Sequence, residues 1–228
     1  MSISSRTNVY IDGFNIYYCA VKNTPYRWLN LLALCNNLFP NRNIKSIKYF
    51  TAKVKASMHD PDAPTRQEMY WRALRTIPSL EIIKGSFVRW PRLMPQFPLA
   101  YIDNNHSKPP NRVQVERTEE KGSDVNLASY LIYDSLTNDC DESVVITNDS
   151  DLAKPIEIIT RKLNRTLIVV NPNRTKMARK WPRCKISKDL RDVATTCILS
   201  INEKVLDDSQ FPTEMSDANG HFSKPKSW

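Results

Sequence analysis

The sequence predicts an α/β fold built on a doubly wound, mostly parallel sheet. Short β-rich segments alternate with amphipathic segments along the chain, which is the pattern of such a fold. Two of the β-rich segments, 143–147 and 166–170, are continuous apolar runs, typical of strands covered on both faces. The length of 228 residues suits one domain of ordinary size, and no internal repeat is visible.

The first half of the chain reads as strand, helices, strand, helix and strand. Leu31, Leu34 and Leu38 recur at helical spacing, and Pro64 suits the first turn of a helix. The predicted elements are a strand at 7–11 ending at Asp12, helices at 14–21 and 28–39, a strand at 44–54, a helix from Pro64 and a strand at 80–84.

The second half begins with a Pro-rich segment. Five prolines between residues 90 and 111 argue against a helix or a central strand, so we expect a long loop or insertion there. Beyond about residue 200 the chain turns polar and loses periodicity. We therefore expect a domain over 1–200 and a flexible polar tail over 201–228. Between them we predict a strand at 112–117, a helix at 123–136, a strand at 143–147, a helix at 150–163 and a strand at 166–170.

Composition excludes several classes of protein. The chain has only four glycines, and neither G-x-G-x-x-G nor G-x-x-x-x-G-K-[ST] occurs, so Gly-rich phosphate loops are excluded. Five scattered cysteines without C-x-x-C indicate neither a disulfide framework nor a zinc site, and they suit a reducing compartment. No apolar stretch approaches the length of a membrane span. We expect a soluble, cytoplasmic protein without membrane partners.

The positive charge of the chain is concentrated in two segments. Residues 13–59 contain seven bases and no acid, and residues 161–191 contain eleven bases and one acid, Asp189. A basic field of this kind attracts a polyphosphate backbone. A solvated basic face that keeps the protein soluble explains the charge about equally well.

Acidic residues follow the predicted strands at one edge of the sheet. Asp12 closes the first strand, Asp149 and Asp151 follow the strand at 143–147, and Asp124 begins a helix. Ligand sites of such sheets lie at the carboxyl ends of the strands. Carboxylates placed together repel one another unless a cation lies among them, and oxygen ligands favour Mg²⁺ or Mn²⁺ over zinc.

Each acid also has a purely structural interpretation. Asp149 suits a helix cap, and Asp124 and Asp151 suit the first turn of a helix. Asp12, followed by Gly13, is harder to explain in this way and indicates a partner or a cation. Asn15 follows Asp12 by three residues, so its side chain is placed to reach the cavity that contains the Asp12 carboxylate.

The acidic residues lie in three short motifs: Asp12-Gly13-Phe14-Asn15, the run 120–125 (EKGSDV) and the run 147–152 (TNDSDL). In this order and spacing the motifs resemble the NYN domain family of the PIN-like nuclease superfamily. The resemblance implies a Rossmann-like, PIN-like three-layer sandwich whose acidic pocket binds Mg²⁺ or Mn²⁺ and cleaves RNA. It also implies a metal-binding set with Asn15 as a supporting polar group: Asp12, Asp124, Asp149 and Asp151.

We therefore expect a metal-dependent ribonuclease, an enzyme that hydrolyses RNA phosphodiester bonds. The alternative is a non-catalytic RNA-binding or scaffold module that keeps the fold. We expect a homo-oligomer or a protein partner at the Pro-rich loop. Trp90 and Trp181 are candidate stacking surfaces, although packing explains them better. The candidate RNA contacts are Lys121, Arg174, Lys176, Arg179 and Lys180.

Overall fold

A seven-stranded sheet forms the centre of the computed structural model, which describes residues 5–101, 103, 105 and 108–228. Its strand order is β4-β3-β2-β1-β5-β6-β7. All neighbouring pairs run parallel except β3 and β4, so the predicted fold class is confirmed. The strands are β1 (Arg6–Asp12), β2 (Asn43–Ala52), β3 (Leu80–Pro95), β4 (Arg112–Lys121), β5 (Glu142–Ile146), β6 (Thr166–Val170) and β7 (Thr196–Ile198).

Eight α-helices of the described ranges surround the sheet. The first and fifth continue into π-helical turns at Tyr17–Val21 and Ile158–Lys162. In the part of the chain that the structure describes, no helix combines the length and the apolar character needed to cross a bilayer. The helices are α1 (Gly13–Ile16), α2 (Leu31–Leu38), α3 (Ala63–Leu74), α4 (Ser123–Leu136), α5 (Ala153–Glu157), α6 (Thr175–Lys180), α7 (Lys188–Val193) and α8 (Glu203–Asp207).

A hydrophobic core covers each face of the sheet. Because side chains alternate along a strand, Val9 and Ile11 of β1 enter one core and Tyr10 enters the other. The first core packs the sheet against α2, α3 and α8, and the second packs it against α4, α5 and α7. The result is the three-layer sandwich.

The order of the strands brings two carboxyl ends together. The chain winds from β1 toward β2 and β3 on one side, and later returns to add β5, β6 and β7 on the other. Ile11 of β1 lies beside Ile146 of β5 in the parallel register. Asp12 and Thr147 are therefore neighbours at the switch point of the sheet, where α/β proteins bind ligands.

The Pro-rich segment differs from the long loop we expected over 90–111. β3 continues to Pro95 and pairs with β4, with Pro91 opposite Glu116. Gln96 N donates to Asn111 O, so the alternating nitrogens of Pro91 and Pro95 face away from β4. β2 ends at Ala52 opposite Gly85, so these nitrogens meet no strand of the described chain. Part of the remaining loop, residues 102, 104, 106 and 107, lies outside the described residues.

The segment 201–228 also differs from the flexible polar tail we expected. It forms α8 and a hairpin of β8 (Glu214–Asp217) and β9 (Gly220–Ser223). Phe211 and Phe222 are buried in the first core, and the Trp228 ring lies 6.2 Å from that of Trp28. Trp28 Nε1 donates to Pro212 O at 2.8 Å. The apolar residues are irregularly spaced, so periodicity does not reveal this packing.

Candidate active site

Asp12 is fixed at the end of β1 by three hydrogen bonds. Its Oδ1 accepts from Asn15 N at 2.9 Å, and its Oδ2 accepts from Asn15 Nδ2 at 2.8 Å and from Thr147 Oγ1 at 3.0 Å. We expected that a role as a helix cap would not readily explain Asp12. This expectation was wrong, because the Asp12 side chain caps α1. Asp12 is only 4% exposed, and this burial raises its pKa while the hydrogen bonds from Asn15 and Thr147 oppose the rise.

Asp149 is positioned by the loop that follows β5. Thr147 Oγ1, which donates to Asp12, also accepts from Asp149 N at 3.1 Å. Asn148 N donates to Asn15 Oδ1 at 3.1 Å. Together with the bond from Thr147 to Asp12, this hydrogen bond joins the loop after β5 to the start of α1. Asp149 also caps the 3₁₀ turn Ser150–Leu152, since its Oδ1 accepts from Asp151 N at 3.0 Å.

Asp124 lies in the first turn of α4. The chain enters this helix through Gly122, whose φ of +98° is a left-handed conformation that favours glycine. Glu120 secures the start of the helix, because its Oε1 accepts from Ser123 N at 3.0 Å and from Ser123 Oγ at 2.7 Å. This junction carries Asp124 to the edge formed by β1 and β5.

The three carboxylates converge. Asp12, Asp124 and Asp149 each offer one oxygen, and these oxygens lie within 4.8 Å of one another. The pKa of Asp124 is raised to about 6, first by burial and then by the charges of Asp12 and Asp149, with smaller contributions from Glu120 and Asp151. An all-oxygen group that repels itself suits a hard divalent cation such as Mg²⁺ or Mn²⁺.

The raised pKa of Asp124 predicts a pH-dependent loss of stability in the metal-free protein. An ordinary aspartate has a pKa near 4, whereas Asp124 in the folded protein has a pKa of about 6. The protonated form of Asp124 therefore stabilises the folded state. This stabilisation is complete below about pH 4 and is lost as the pH rises through about 6. Asp124→Asn removes this loss. Because Asp124 is exposed and solvent screens its charge, we expect the variant to gain only about 1 kcal/mol in EDTA at neutral pH. Thermal melts at acidic and neutral pH measure the gain.

A matched variant separates this effect from a general response to charge removal. Asp207 is exposed on α8 and lies outside the acidic group. Asp207→Asn serves as the control and gives no pH-dependent gain. A gain for Asp124→Asn that is the same at both pH values contradicts the assigned repulsion.

The other predicted site residues are not members of this acidic triad. The Asn15 side chain is hydrogen-bonded to Asp12 and to Asn148. Asp151 is exposed and is not part of the triad. Lys121 has a 58% exposed side chain and pairs with Glu119 at 2.7 Å. Four predicted contacts lie on or beside α6: Arg174, Lys176, Arg179 and Lys180.

The second basic segment, residues 161–191, is hydrogen-bonded to Asn148 in the loop that follows β5. Asn148 Nδ2 donates to Lys185 O at 3.0 Å, and Asn148 Oδ1 accepts from Ser187 N at 2.8 Å. Trp181 is 40% exposed rather than part of the core, with Lys180 Nζ 5.3 Å and Arg183 Cζ 5.5 Å from its ring centroid. A cavity of about 550 Å³ in this segment is lined by four cationic side chains: Arg179, Lys185, Lys188 and Arg191.

Two residues that position the triad lie within the quoted motifs but were not predicted as site residues. Thr147 joins Asp12 to Asp149, and Glu120 secures the turn before Asp124. The available signal for Thr147 was its place at the end of a buried strand, two residues before an acid. Glu120 gives a weaker signal, because an acid near a helix start is common.

Comparison with known proteins adds three findings. The profile of the NYN domain matches residues 6–200. The chain is 34% identical over 190 residues to 6-hydroxy-3-succinoylpyridine 3-monooxygenase HspA of Pseudomonas putida (strain DSM 28022 / S16), and the match spans 73% of this chain and 59% of that protein. A crystal structure of a protein of unknown function from Vibrio parahaemolyticus RIMD 2210633 has a similar fold, with a TM-score of 0.54 and 17% identity over 92% of this chain and 99% of the other.

Proposed function

The chain belongs to the NYN domain family, and from this premise we propose that it is a metal-dependent ribonuclease that hydrolyses RNA phosphodiester bonds. The family is nuclease-like, and the convergence of Asp12, Asp124 and Asp149 is the observation that carries the proposal. A protein that only bound RNA would gain nothing from three carboxylates that repel phosphate. This argument favours the enzyme over the non-catalytic scaffold.

Asp12, Asp124 and Asp149 would hold Mg²⁺ or Mn²⁺ in this proposal. Such a cation lowers the pKa of water and neutralises charge that develops on the phosphoryl oxygens. In hydrolysis the water oxygen forms a bond to phosphorus, the bond from phosphorus to the 3′-oxygen breaks, and the 3′-oxygen takes up a proton released by the water, which gives a 5′-phosphate and a 3′-hydroxyl. Asn15 and Thr147 hold the Asp12 carboxylate in one orientation through their hydrogen bonds.

Asp151 has a secondary role in this proposal. Asp151 is exposed, and its charge contributes to the raised pKa of Asp124. We assign it the positioning of a water molecule near the cation. We expect Asp151→Asn to lower the rate of RNA cleavage about tenfold, much less than loss of a triad carboxylate. Cleavage rates in Mn²⁺ measure this difference. A loss as large as that of Asp149→Asn would place Asp151 among the direct cation ligands.

The second basic segment supports RNA as the substrate. It carries the cations around α6, and Asn148 joins it to the loop of Asp149. The four cations of its cavity form no ion pair with any acid of the described chain. They are available to bind phosphates, with Trp181 as an exposed ring for an unpaired base.

The second candidate function is the oxygenation named for the Pseudomonas relative. It is supported by 34% identity, over an alignment that covers 59% of that protein. The two candidates differ in what they consume. A nuclease needs only RNA, water and the cation, whereas a monooxygenase needs O₂, a reductant and an organic substrate.

One experiment separates these candidates. Purified protein is incubated with labelled single-stranded and structured RNA in Mg²⁺, Mn²⁺ or EDTA, and in parallel with 6-hydroxy-3-succinoylpyridine, O₂ and a reduced nicotinamide. Cleavage that needs the cation and leaves 5′-phosphates supports the proposal. RNA binding without cleavage favours the scaffold, and oxygenation without cleavage favours the activity of the relative.

A further inference from the structure

An aromatic cavity opens beside the acidic triad. Its volume is about 380 Å³, within the usual range of small-molecule sites. Gly13 and Phe14, which directly follow Asp12, form part of its wall, and Thr51 at the end of β2 forms another part. The cavity wall therefore includes the residue that directly follows Asp12 in the chain.

Six aromatic side chains line this cavity, and contacts with their surroundings fix several of them. The Tyr49 ring is buried, and Tyr70 Oη donates to Leu29 O at 2.8 Å. The Trp228 ring lies 5.8 Å from that of Tyr70. Fixed aromatic walls favour a planar ring as the occupant. The six are Phe14, Tyr17, Tyr18, Tyr49, Tyr70 and Trp228.

The cavity also carries excess positive charge. Three cations, Lys22, Arg27 and Arg66, line it together with one acid, Asp60. Arg66 pairs with Asp60. Lys22 Nζ lies 4.7 Å from the Tyr18 ring centroid, and Arg27 Nε donates to Thr24 O at 3.3 Å.

Two of these cations are available to a ligand. Lys22 and Arg27 form no ion pair with any acid in the described ranges. The donors on the ends of these side chains suit an anionic group, phosphate in particular. The cavity thus combines aromatic walls that suit a planar ring with two cationic side chains, Lys22 and Arg27, that suit an anion.

We propose that the aromatic cavity binds one nucleotide, with its base against the rings and its phosphate at Lys22 and Arg27. This proposal deepens the proposed function and rests on it, since the nucleotide is then part of the RNA strand beside the scissile bond. The rings supply stacking that tolerates different bases. The two cations are expected to account for most of the phosphate affinity.

Nucleotide binding in EDTA tests this proposal without requiring cleavage. Wild-type protein is titrated with AMP, GMP, CMP and UMP by calorimetry, and the Lys22→Ala/Arg27→Ala double variant is titrated in the same way. We expect saturable binding of at least one nucleotide and an affinity about tenfold lower in the double variant. Lys204→Ala, an exposed α8 substitution outside the cavity, is the control and keeps wild-type affinity.

A steric variant gives a second test. Ala63 lines the cavity at the start of α3, so Ala63→Phe places a ring in the space assigned to the base. Binding should be lost while the circular dichroism spectrum stays that of the wild type. If the spectrum changes, the charge variant still decides, because Lys22 is exposed and Arg27 is only half buried.

The possible outcomes are distinct. Absence of saturable binding to wild type up to about 10 mM overturns the proposal, as does unchanged affinity in the double variant. Tight binding of 6-hydroxy-3-succinoylpyridine with no nucleotide binding overturns it in favour of an aromatic carboxylate. Nucleotide binding without Mn²⁺-dependent RNA cleavage contradicts only the proposed function, and cleavage without nucleotide binding contradicts only the cavity.

Discussion

Asp149→Asn is expected to lower the rate of RNA cleavage in Mn²⁺ by about a thousandfold. The substitution removes one of the three carboxylate oxygens that converge with those of Asp12 and Asp124. An amide retains an oxygen that accepts from Asp151 N, so the local turn should persist. The measurement is the single-turnover rate on labelled RNA, with circular dichroism to verify the fold.

Asp207→Asn is the matched control for this loss. It makes the same chemical change at an exposed position on α8 and should leave the rate within about twofold of wild type. Cleavage by Asp149→Asn at the wild-type rate, or wild-type cleavage that persists in EDTA, would contradict the role of the triad.

Gly13→Ala should destabilise the protein by about 3 kcal/mol. A Cβ at this position would lie 2.5 Å from Phe50 O and 2.8 Å from Cζ of Tyr49. The first neighbour is backbone in β2, so the clash is relieved only by moving the start of α1. Since Asp12 immediately precedes this helix and caps it, affinity for Mn²⁺ should fall together with stability. Thermal melts and Mn²⁺ titration measure the two effects.

Gly220→Ala provides the comparison for this glycine. Its φ of +98° strains any L side chain, but no heavy atom lies within 4 Å of the added Cβ. We expect a loss of about 1 kcal/mol and no change in Mn²⁺ affinity. Equal stability losses for the two variants would argue against the close packing of Gly13.

The sequence predicted the elements whose burial follows a simple period. The helix at 123–136 and the strand at 166–170 have the bounds of α4 and β6, because Leu127 and Leu131 recur at helical spacing and residues 167–170 are all apolar and buried. The alternation of such elements was enough to predict the parallel sheet.

Elements that depend on distant partners were not predicted. Pro91 and Pro95 indicate a break, yet β3 continues through them because their nitrogens face away from β4. Phe211 and Trp228 do not belong to a periodic pattern of apolar residues, but both rings pack against Trp28, which lies 183 and 200 residues earlier in the chain. Such contacts follow from the tertiary fold and leave no local pattern.

The candidate site shows the same division. Asp12, Asp124 and Asp149 were predicted together because each lies at a strand end or a helix start on one edge of the sheet. The hydrogen bond from Thr147 to Asp12 spans 135 positions and was not predictable from spacing. Asp151 was predicted to join them, but the 3₁₀ turn Ser150–Leu152 leaves its side chain exposed and outside the triad.

Manganese binding tests most directly whether Asp12, Asp124 and Asp149 form a cation site. Mn²⁺ is titrated into the protein at neutral pH, and free Mn²⁺ is followed by electron paramagnetic resonance. The predicted result is bound Mn²⁺ in wild type and in Asp207→Asn, with loss of that binding in Asp149→Asn. Absence of bound Mn²⁺ in wild type, or equal binding by Asp149→Asn, would contradict the assignment of the triad as a metal centre.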